Sequence, residues 1–218
     1  MSEKIVLEQK SNLLWEHMYL MRSIYNNTYG TGGINKWFWL CLCILKMFFP
    51  MFWARRLVKD YDRRNMILEL YIFLKITVLA LLLYLKIDNI WATLVAMYFV
   101  MDIVQYLLGL IFLSHIYTKI PTLNRNFAHL GLNMLEILLS FSVLYLNFHA
   151  IGTWGVASSD TVGLLYFSTV TLATVGYGDI GPINDIGRIL VAFQIIVSFL
   201  FVSIICSSFI SGLQLKEN

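Results

Sequence analysis

Four long apolar stretches dominate the pattern of hydrophobic and polar positions along this 218-residue chain. They run over Met66–Leu85, Ile90–Leu113, Ala128–Phe148 and Ile186–Ile210. A helix needs about 20 predominantly apolar residues to cross the hydrocarbon core of a bilayer, and each stretch has that length. The pattern therefore predicts an all-α integral membrane protein with four spanning helices.

The residues before the first of these stretches follow a different pattern. Residues 1–35 predict an amphipathic helix over Lys4–Asn26 and then a glycine-rich linker. Trp37–Trp53 is apolar and rich in aromatic residues, but Lys46 and Pro50 interrupt it. Because aromatic residues beside basic ones favour the headgroup region, we favour a helix that lies along the inner membrane surface. The alternative, a fifth spanning helix that would place the N-terminus outside, stays open.

Composition and charge agree with a membrane protein and predict its orientation. Apolar residues make up 59% of the chain and charged residues 13%, whereas soluble domains are roughly half apolar and about a quarter charged. The mean hydropathy is +0.71. The loop Ala54–Asn65 is rich in arginine and lysine, which makes it cytoplasmic by the positive-inside rule. The Asn147–Ser159 segment is then outside and the C-terminus cytoplasmic, while the net charge of +3 gives no indication of nucleic-acid binding.

The most informative short motif is Thr174-Val175-Gly176-Tyr177-Gly178, which is followed by Asp179. A column of backbone carbonyls can replace the hydration shell of K⁺, and TVGYG is a known sequence motif of such a column. Successive carbonyls face one axis only where the backbone dihedrals alternate in sign, and glycine accepts a positive φ. The two glycines stand two residues apart, where that alternation requires them. An ordinary glycine-rich turn before a helix is the alternative interpretation.

The flanking segments favour the pore interpretation. Upstream, Asp160–Ala173 is helical in character, begins after good N-cap residues and is too short to cross a bilayer. Such a helix directs its partly negative C-terminus towards a cation. Downstream, Ile180-Gly181-Pro182 leads to the last apolar stretch, which opens at Gly187-Arg188. With these motifs, roughly Ala128 to Leu213 resembles the pore domain of tetrameric potassium channels.

The resemblance implies a fold and a set of site residues. The fold is an outer helix, a pore helix, a filter and an inner helix, assembled fourfold around one pore. K⁺ would bind at Thr174, Val175, Gly176 and Tyr177, with Gly178 completing the filter. Support for the filter and the outer mouth would come from four further residues: Asp179, Thr171, Tyr166 and Phe167. The resemblance implies no cofactor besides the permeant K⁺ and no enzymatic activity.

The chain departs from the family pattern in the inner helix. Where relatives often carry a hinge glycine, this sequence has Ser198. Ser198 is therefore a candidate hinge or gate residue, and gating by a glycine bend does not carry over from the family.

Two apolar helices precede the pore domain and contain charged residues. Neither Met66–Leu85 nor Ile90–Leu113 contains an arginine, so the pair lacks the charge ladder of a voltage sensor. At ~1.5 Å per residue, Lys75 lies ~14 Å from the inner end of its helix and Asp102 ~18 Å from the outer end of the next, antiparallel helix, which places both near mid-membrane. We predict a buried Lys75–Asp102 ion pair that joins the hairpin. A ligand- or proton-sensing role is the alternative, and Glu136 is a further candidate partner.

The sequence thus predicts four segments: residues 1–35, the aromatic helix and basic loop at 36–65, an accessory transmembrane hairpin at 66–127 and the pore domain at 128–218. The predicted function is passive, potassium-selective conduction by a homotetramer that is not voltage-gated, in a plasma or inner membrane. The partners would be three identical subunits, membrane lipids and an unidentified regulator at the N-terminal helix. A non-selective cation channel and a non-conducting subunit with a pore fold are the alternatives.

Overall fold

Helices form most of the computed structural model, which describes residues 34–50, 61–113, 123–153, 156–157 and 159–217. The described helices are α1 (Ile34–Lys46), α2 (Tyr61–Tyr84), α3 (Ile90–Leu113), α4 (Leu123–Asn147), α5 (Thr161–Leu172) and α6 (Asp185–Glu217). Three short strands accompany them: β1 (Ile151–Thr153), β2 (Val156–Ala157) and β3 (Gly181–Pro182). The chain divides into two units, Met1–Leu68 and Glu69–Asn218, and the division falls within α2.

Four helices are long and apolar enough to cross a membrane, which confirms the hydropathy prediction. Their candidate spans are Met66–Tyr84, Ile90–Ile111, His129–Asn147 and Asp185–Cys206. The first three lie within about two residues of the predicted ends, because the apolar run itself sets the span length. The fourth ends at Cys206, four residues before the predicted end at Ile210. The protein is therefore a multi-pass membrane protein.

The N-terminal predictions meet the described residues only in part. Helix α1 has 13 residues and ends at Lys46, which is shorter than the roughly 20 residues that a span requires. The predicted helix Lys4–Asn26, the end of the aromatic segment and most of the basic loop lie outside the described residues. Helix α2 begins at Tyr61, so the last five residues of the predicted loop belong to this helix.

The turn between α2 and α3 is fastened to the end of α4. Asn89 caps α3, because its Oδ1 accepts a hydrogen bond of 2.8 Å from the Ala92 amide. The Asn89 amide donates to Oδ1 of Asn147 at 2.9 Å, and Nδ2 of Asn147 donates to the Ile87 carbonyl at 3.3 Å. One asparagine at the end of α4 therefore holds the hairpin turn on both sides.

Helix α4 lies at the centre of the second unit, where it packs against α3, α5 and α6. Of its candidate span, 61% is buried, compared with 17% for the span of α2. The buried side chains of the core come from the C-terminal half of α4 and from the helices around it, and include Phe141, Leu144, Tyr145, Leu164 and Val197.

A small antiparallel sheet, with strand order β2-β1-β3, ties the segment after the filter to the segment after α4. Ile151 pairs with Pro182 and Gly152 with Gly181, and the Ile183 amide donates to the Ala150 carbonyl at 3.0 Å. A Cβ added to Gly187 would lie 2.2 Å from that same carbonyl oxygen, so only glycine allows α6 to approach this closely. The sequence predicted loops here, because strands of two or three residues have no measurable periodicity.

Candidate functional site: the filter and its supports

A short capped helix leads directly into the filter. The Asp160 side chain caps α5 by accepting a hydrogen bond of 3.0 Å from the Gly163 amide. At the other end, the amides of Thr174 and Val175 donate to carbonyls of α5, at 3.1 Å to Thr171 and 3.0 Å to Val170. The carboxyl end of α5 therefore lies at the first filter residues, where its dipole favours a cation.

The filter backbone has a positive φ at every second residue. The φ angles are +56° at Thr174, +61° at Gly176 and +83° at Gly178, while Val175 and Tyr177 are not in the positive region. This is the alternation that the spacing of the two glycines predicted. Glycine accepts such angles without strain, whereas an L-residue with a side chain resists them. The filter is also open on the surface of the single chain, with Val175 52% and Tyr177 71% exposed.

The predicted support residues divide into two groups. Tyr166 stacks on Tyr177, with ring centroids 6.5 Å apart and an interplanar angle of 4°. Its hydroxyl donates a 2.8 Å hydrogen bond to Oδ2 of Asp179, which raises the pKa of this exposed tyrosine and keeps it a donor. Phe167 instead packs edge-on against Tyr145 of α4, with ring centroids 5.2 Å apart. Thr171 is buried near the end of α5.

A neutral hydrogen-bond network, which the sequence prediction missed, joins three helices behind the filter. Nε2 of Gln194 in α6 donates to the Ser168 carbonyl at 2.9 Å and to Ser168 Oγ at 3.0 Å. Oε1 of Gln194 accepts a 2.5 Å hydrogen bond from the Tyr145 hydroxyl of α4. Ser168 in turn donates to the Leu138 carbonyl at 3.0 Å. A lone amide in an apolar spanning helix was the available signal, since buried amides need partners.

Ser198 lies one turn beyond Gln194, within an unbroken α6. Its hydroxyl donates to the Gln194 carbonyl at 2.8 Å, a local bond of the kind that bends helices slightly. Ser198 also lines a cavity of about 240 Å³ below the filter, together with Thr174, Leu172 and Val202. The hinge assignment stays a prediction.

The structure brings Lys75 and Asp102 together and adds a third residue to them. Nζ of Lys75 lies 2.8 Å from Oδ2 of Asp102 and 2.6 Å from Oε1 of Glu136. The lysine therefore joins α2 to α3 and also to α4. The sequence left the partner of Glu136 open, because depth in the membrane alone does not choose among neighbouring helices.

Comparison with known proteins agrees with this geometry. Residues 134–214 match the family model described as "Ion channel". The chain is also 28% identical, over 103 residues, to "Two-pore potassium channel 5" of Arabidopsis thaliana. That alignment covers 46% of this chain and 25% of the plant protein, so the chain spans only about a quarter of its relative's length. No solved structure matches the chain. The match of residues 134–214 to this family model indicates a channel pore-domain fold.

Proposed function

We propose that this protein conducts K⁺ passively and selectively across a membrane. The observation that carries the proposal is the alternation of positive φ at Thr174, Gly176 and Gly178. This alternation turns successive carbonyls to one side, where they can replace the water around a potassium ion. Val175, Gly176, Tyr177 and the Thr174 carbonyl would supply the ion sites, with no catalytic group and no cofactor other than the permeant ion.

We propose a homotetramer, because one chain supplies one strand of the filter. The open side of the filter faces away from the single chain, with Val175 and Tyr177 more than half exposed. Within a bilayer, polar backbone that faces hydrocarbon would be costly, so other copies must cover it. Three further identical subunits, arranged with the first around a common axis, complete the column of carbonyls. A mass measurement in nanodiscs should give a tetramer as the active species, and an active monomer or dimer would overturn this part.

We propose that the accessory hairpin does not sense voltage. The spans Met66–Tyr84 and Ile90–Ile111 contain one basic residue, Lys75, and it is held between the carboxyl groups of Asp102 and Glu136. Moving one charge through 100 mV is worth only about 2.3 kcal/mol, so steep gating needs many mobile charges. A conductance–voltage curve should be shallow. The proposed orientation places the filter mouth outside and the C-terminus in the cytoplasm, which protease protection of a C-terminal tag can test.

The test of selectivity is ion flux in liposomes that contain only the purified protein. With a K⁺ gradient, the reversal potential should follow the K⁺ concentration ratio and respond little to Na⁺. Equal permeability to both ions would indicate a non-selective cation channel instead. No flux from a correctly assembled tetramer would indicate a subunit that keeps the pore fold without conducting.

A further inference from the structure

A charged cluster outside the pore lies at the joint of three helices. Lys75 of α2 contacts Asp102 of α3 and Glu136 of α4, at 2.8 Å and 2.6 Å. The side chains are 5%, 7% and 0% exposed, in the same order. All three residues lie in the middle parts of candidate membrane spans. The cluster therefore holds its charges in a buried environment, where bulk water screens them little.

The two carboxyl groups of the cluster have unequal numbers of donors. Oδ2 of Asp102 accepts from Lys75 at 2.8 Å and from the Tyr71 hydroxyl at 3.1 Å. Among the described residues, Lys75 is the one polar partner of Glu136, and Oε2 of Glu136 has no hydrogen-bond partner. Asp102 is thus equipped to carry a negative charge, whereas the second oxygen of Glu136 is not.

A second buried polar atom without a partner lies on the same face of α4 as Glu136. Ser140 follows Glu136 by four residues on α4, so both side chains lie on one face of the helix. The Ser140 hydroxyl is fully buried and, like Glu136 Oε2, has no partner in the described part of the chain. A hydrogen atom on Oε2 would make it a donor, and Ser140 Oγ an available acceptor.

The ionised groups of the cluster would not cancel to zero net charge. Among the described residues, two carboxyl groups face one ammonium, and the neighbours Tyr71 and Tyr98 are neutral phenols. Nearer the N-terminal end of α2, Oε1 of Glu69 lies 3.8 Å from Nε2 of His129 in α4. Helix α5 has no charged residue, and Asp185 and Arg188 of α6 pair with each other at its outer end. Leaving a buried charge uncompensated costs several kcal/mol, in practice enough to change the protonation state.

We propose that this cluster is a proton-binding site in which Glu136 holds the proton and Asp102 carries the negative charge opposite Lys75. The proton comes from water and forms the O–H bond on Oε2 of Glu136. Its loss returns it to water and leaves one net negative charge between the accessory hairpin and α4. Because α4 also holds the pore helix, through the Leu138 carbonyl and Ser168, the protonation state acts on the joint between hairpin and pore. The site does not depend on the proposed conduction.

The experiment is infrared spectroscopy of the purified full-length protein at neutral pH, with and without glutamate labelled by ¹³C at the carboxyl carbon. Exposed carboxyl groups are ionised there, so only a buried acid gives the carbonyl band of a protonated carboxyl group. The wild type should show this band, and the label should shift it. A band that is absent, or that the label leaves in place, would overturn the proposal without the use of any variant.

Variants then test the charge count. Glu136→Gln should remove the band. Asp102→Asn should also remove it, because Glu136 then ionises opposite Lys75. Lys75→Met should double the band, since both carboxyl groups must then be neutral. Glu69→Gln is the matched control and should change nothing, because Glu69 is a carboxyl group on α2, the helix of Lys75, with a side chain 48% exposed. A band that persists in Glu136→Gln, or that Asp102→Asn leaves unchanged, would contradict the shared proton.

Discussion

Different kinds of contact stabilise the pore module, which comprises α4 to α6 and the filter, and the accessory hairpin of α2 and α3. Behind the filter, Gln194, Tyr145 and Ser168 form a neutral network in which the amide uses both its donor and acceptor groups. At the hairpin, Lys75, Asp102 and Glu136 form a charged cluster that leaves Glu136 Oε2 and Ser140 Oγ without partners among the described residues. A neutral network can be complete within one protonation state. A cluster with one cation and two acids becomes electrically neutral only when one of the acids binds a proton.

The two regions also differ in how much of their surface is buried within the chain. The span of α4 is 61% buried and that of α2 only 17% buried. Helix α2 therefore buries fewer side chains than α4 among the described residues, although Leu79 and Leu83 belong to the core, and polar contacts help to position it. We infer that the pore module depends on backbone geometry and close packing, whereas the hairpin depends on a few charged side chains.

The largest expected effect comes from the filter backbone. Gly178 has a φ of +83°, and nothing lies within 4 Å of an added Cβ in the single chain. Gly178→Ala should therefore act through φ strain and abolish selective K⁺ flux in liposomes. Gly181→Ala is the matched control, because Gly181 also has open space but no positive φ. Equal flux from the two variants would break the claim that backbone geometry defines the filter.

Sequence reasoning succeeded where one local rule decides the outcome. Apolar run length gave the four spans, and the spacing of Gly176 and Gly178 gave the alternation of φ. It missed features that depend on which residues meet across helices. Gln194 and Tyr145 are 49 positions apart, and only the packing of α4 against α6 brings them together. Depth along the helices predicted the Lys75–Asp102 pair, whereas the added contact of Lys75 with Glu136 required the positions of three helices.

The second prediction concerns the charged cluster and tests the other side of the comparison. Lys75→Met removes the only cation of the cluster, and breaking a buried pair in this way typically costs about 3–5 kcal/mol. The loss, measured by thermal unfolding in detergent, should shrink as the pH falls, because the native state then takes up the protons that its acids need. Combining it with Asp102→Leu and Glu136→Gln should recover much of the stability. Simple additivity of the three losses would mean that the residues act separately.

A smaller effect is expected at the close approach of α6 to the segment after α4. Gly187→Ala would place a Cβ 2.2 Å from the Ala150 carbonyl oxygen, so the backbone must shift. Such overpacking typically costs about 1–3 kcal/mol. Gly131→Ala in α4 adds the same methyl group where nothing lies within 4 Å, and alanine is the better helix former by about 1 kcal/mol. The melting temperature should fall for the first variant and hold or rise for the second.

The smallest expected losses of stability come from substitutions at two neighbouring residues of the hairpin turn, and they should differ in size. Asn89→Ala removes the cap of α3, and loss of an N-cap side chain costs about 1 kcal/mol. Asp88→Asn removes a contact of 3.1 Å with Nε2 of His149, but both of these side chains are largely exposed. Exposed ion pairs contribute at most about 1 kcal/mol and often nothing measurable. Thermal unfolding should therefore show a loss for Asn89→Ala and almost none for Asp88→Asn. If Asp88→Asn were the more harmful change, surface charge rather than backbone capping would hold the turn, and the contrast between hairpin and pore would extend to the membrane surface.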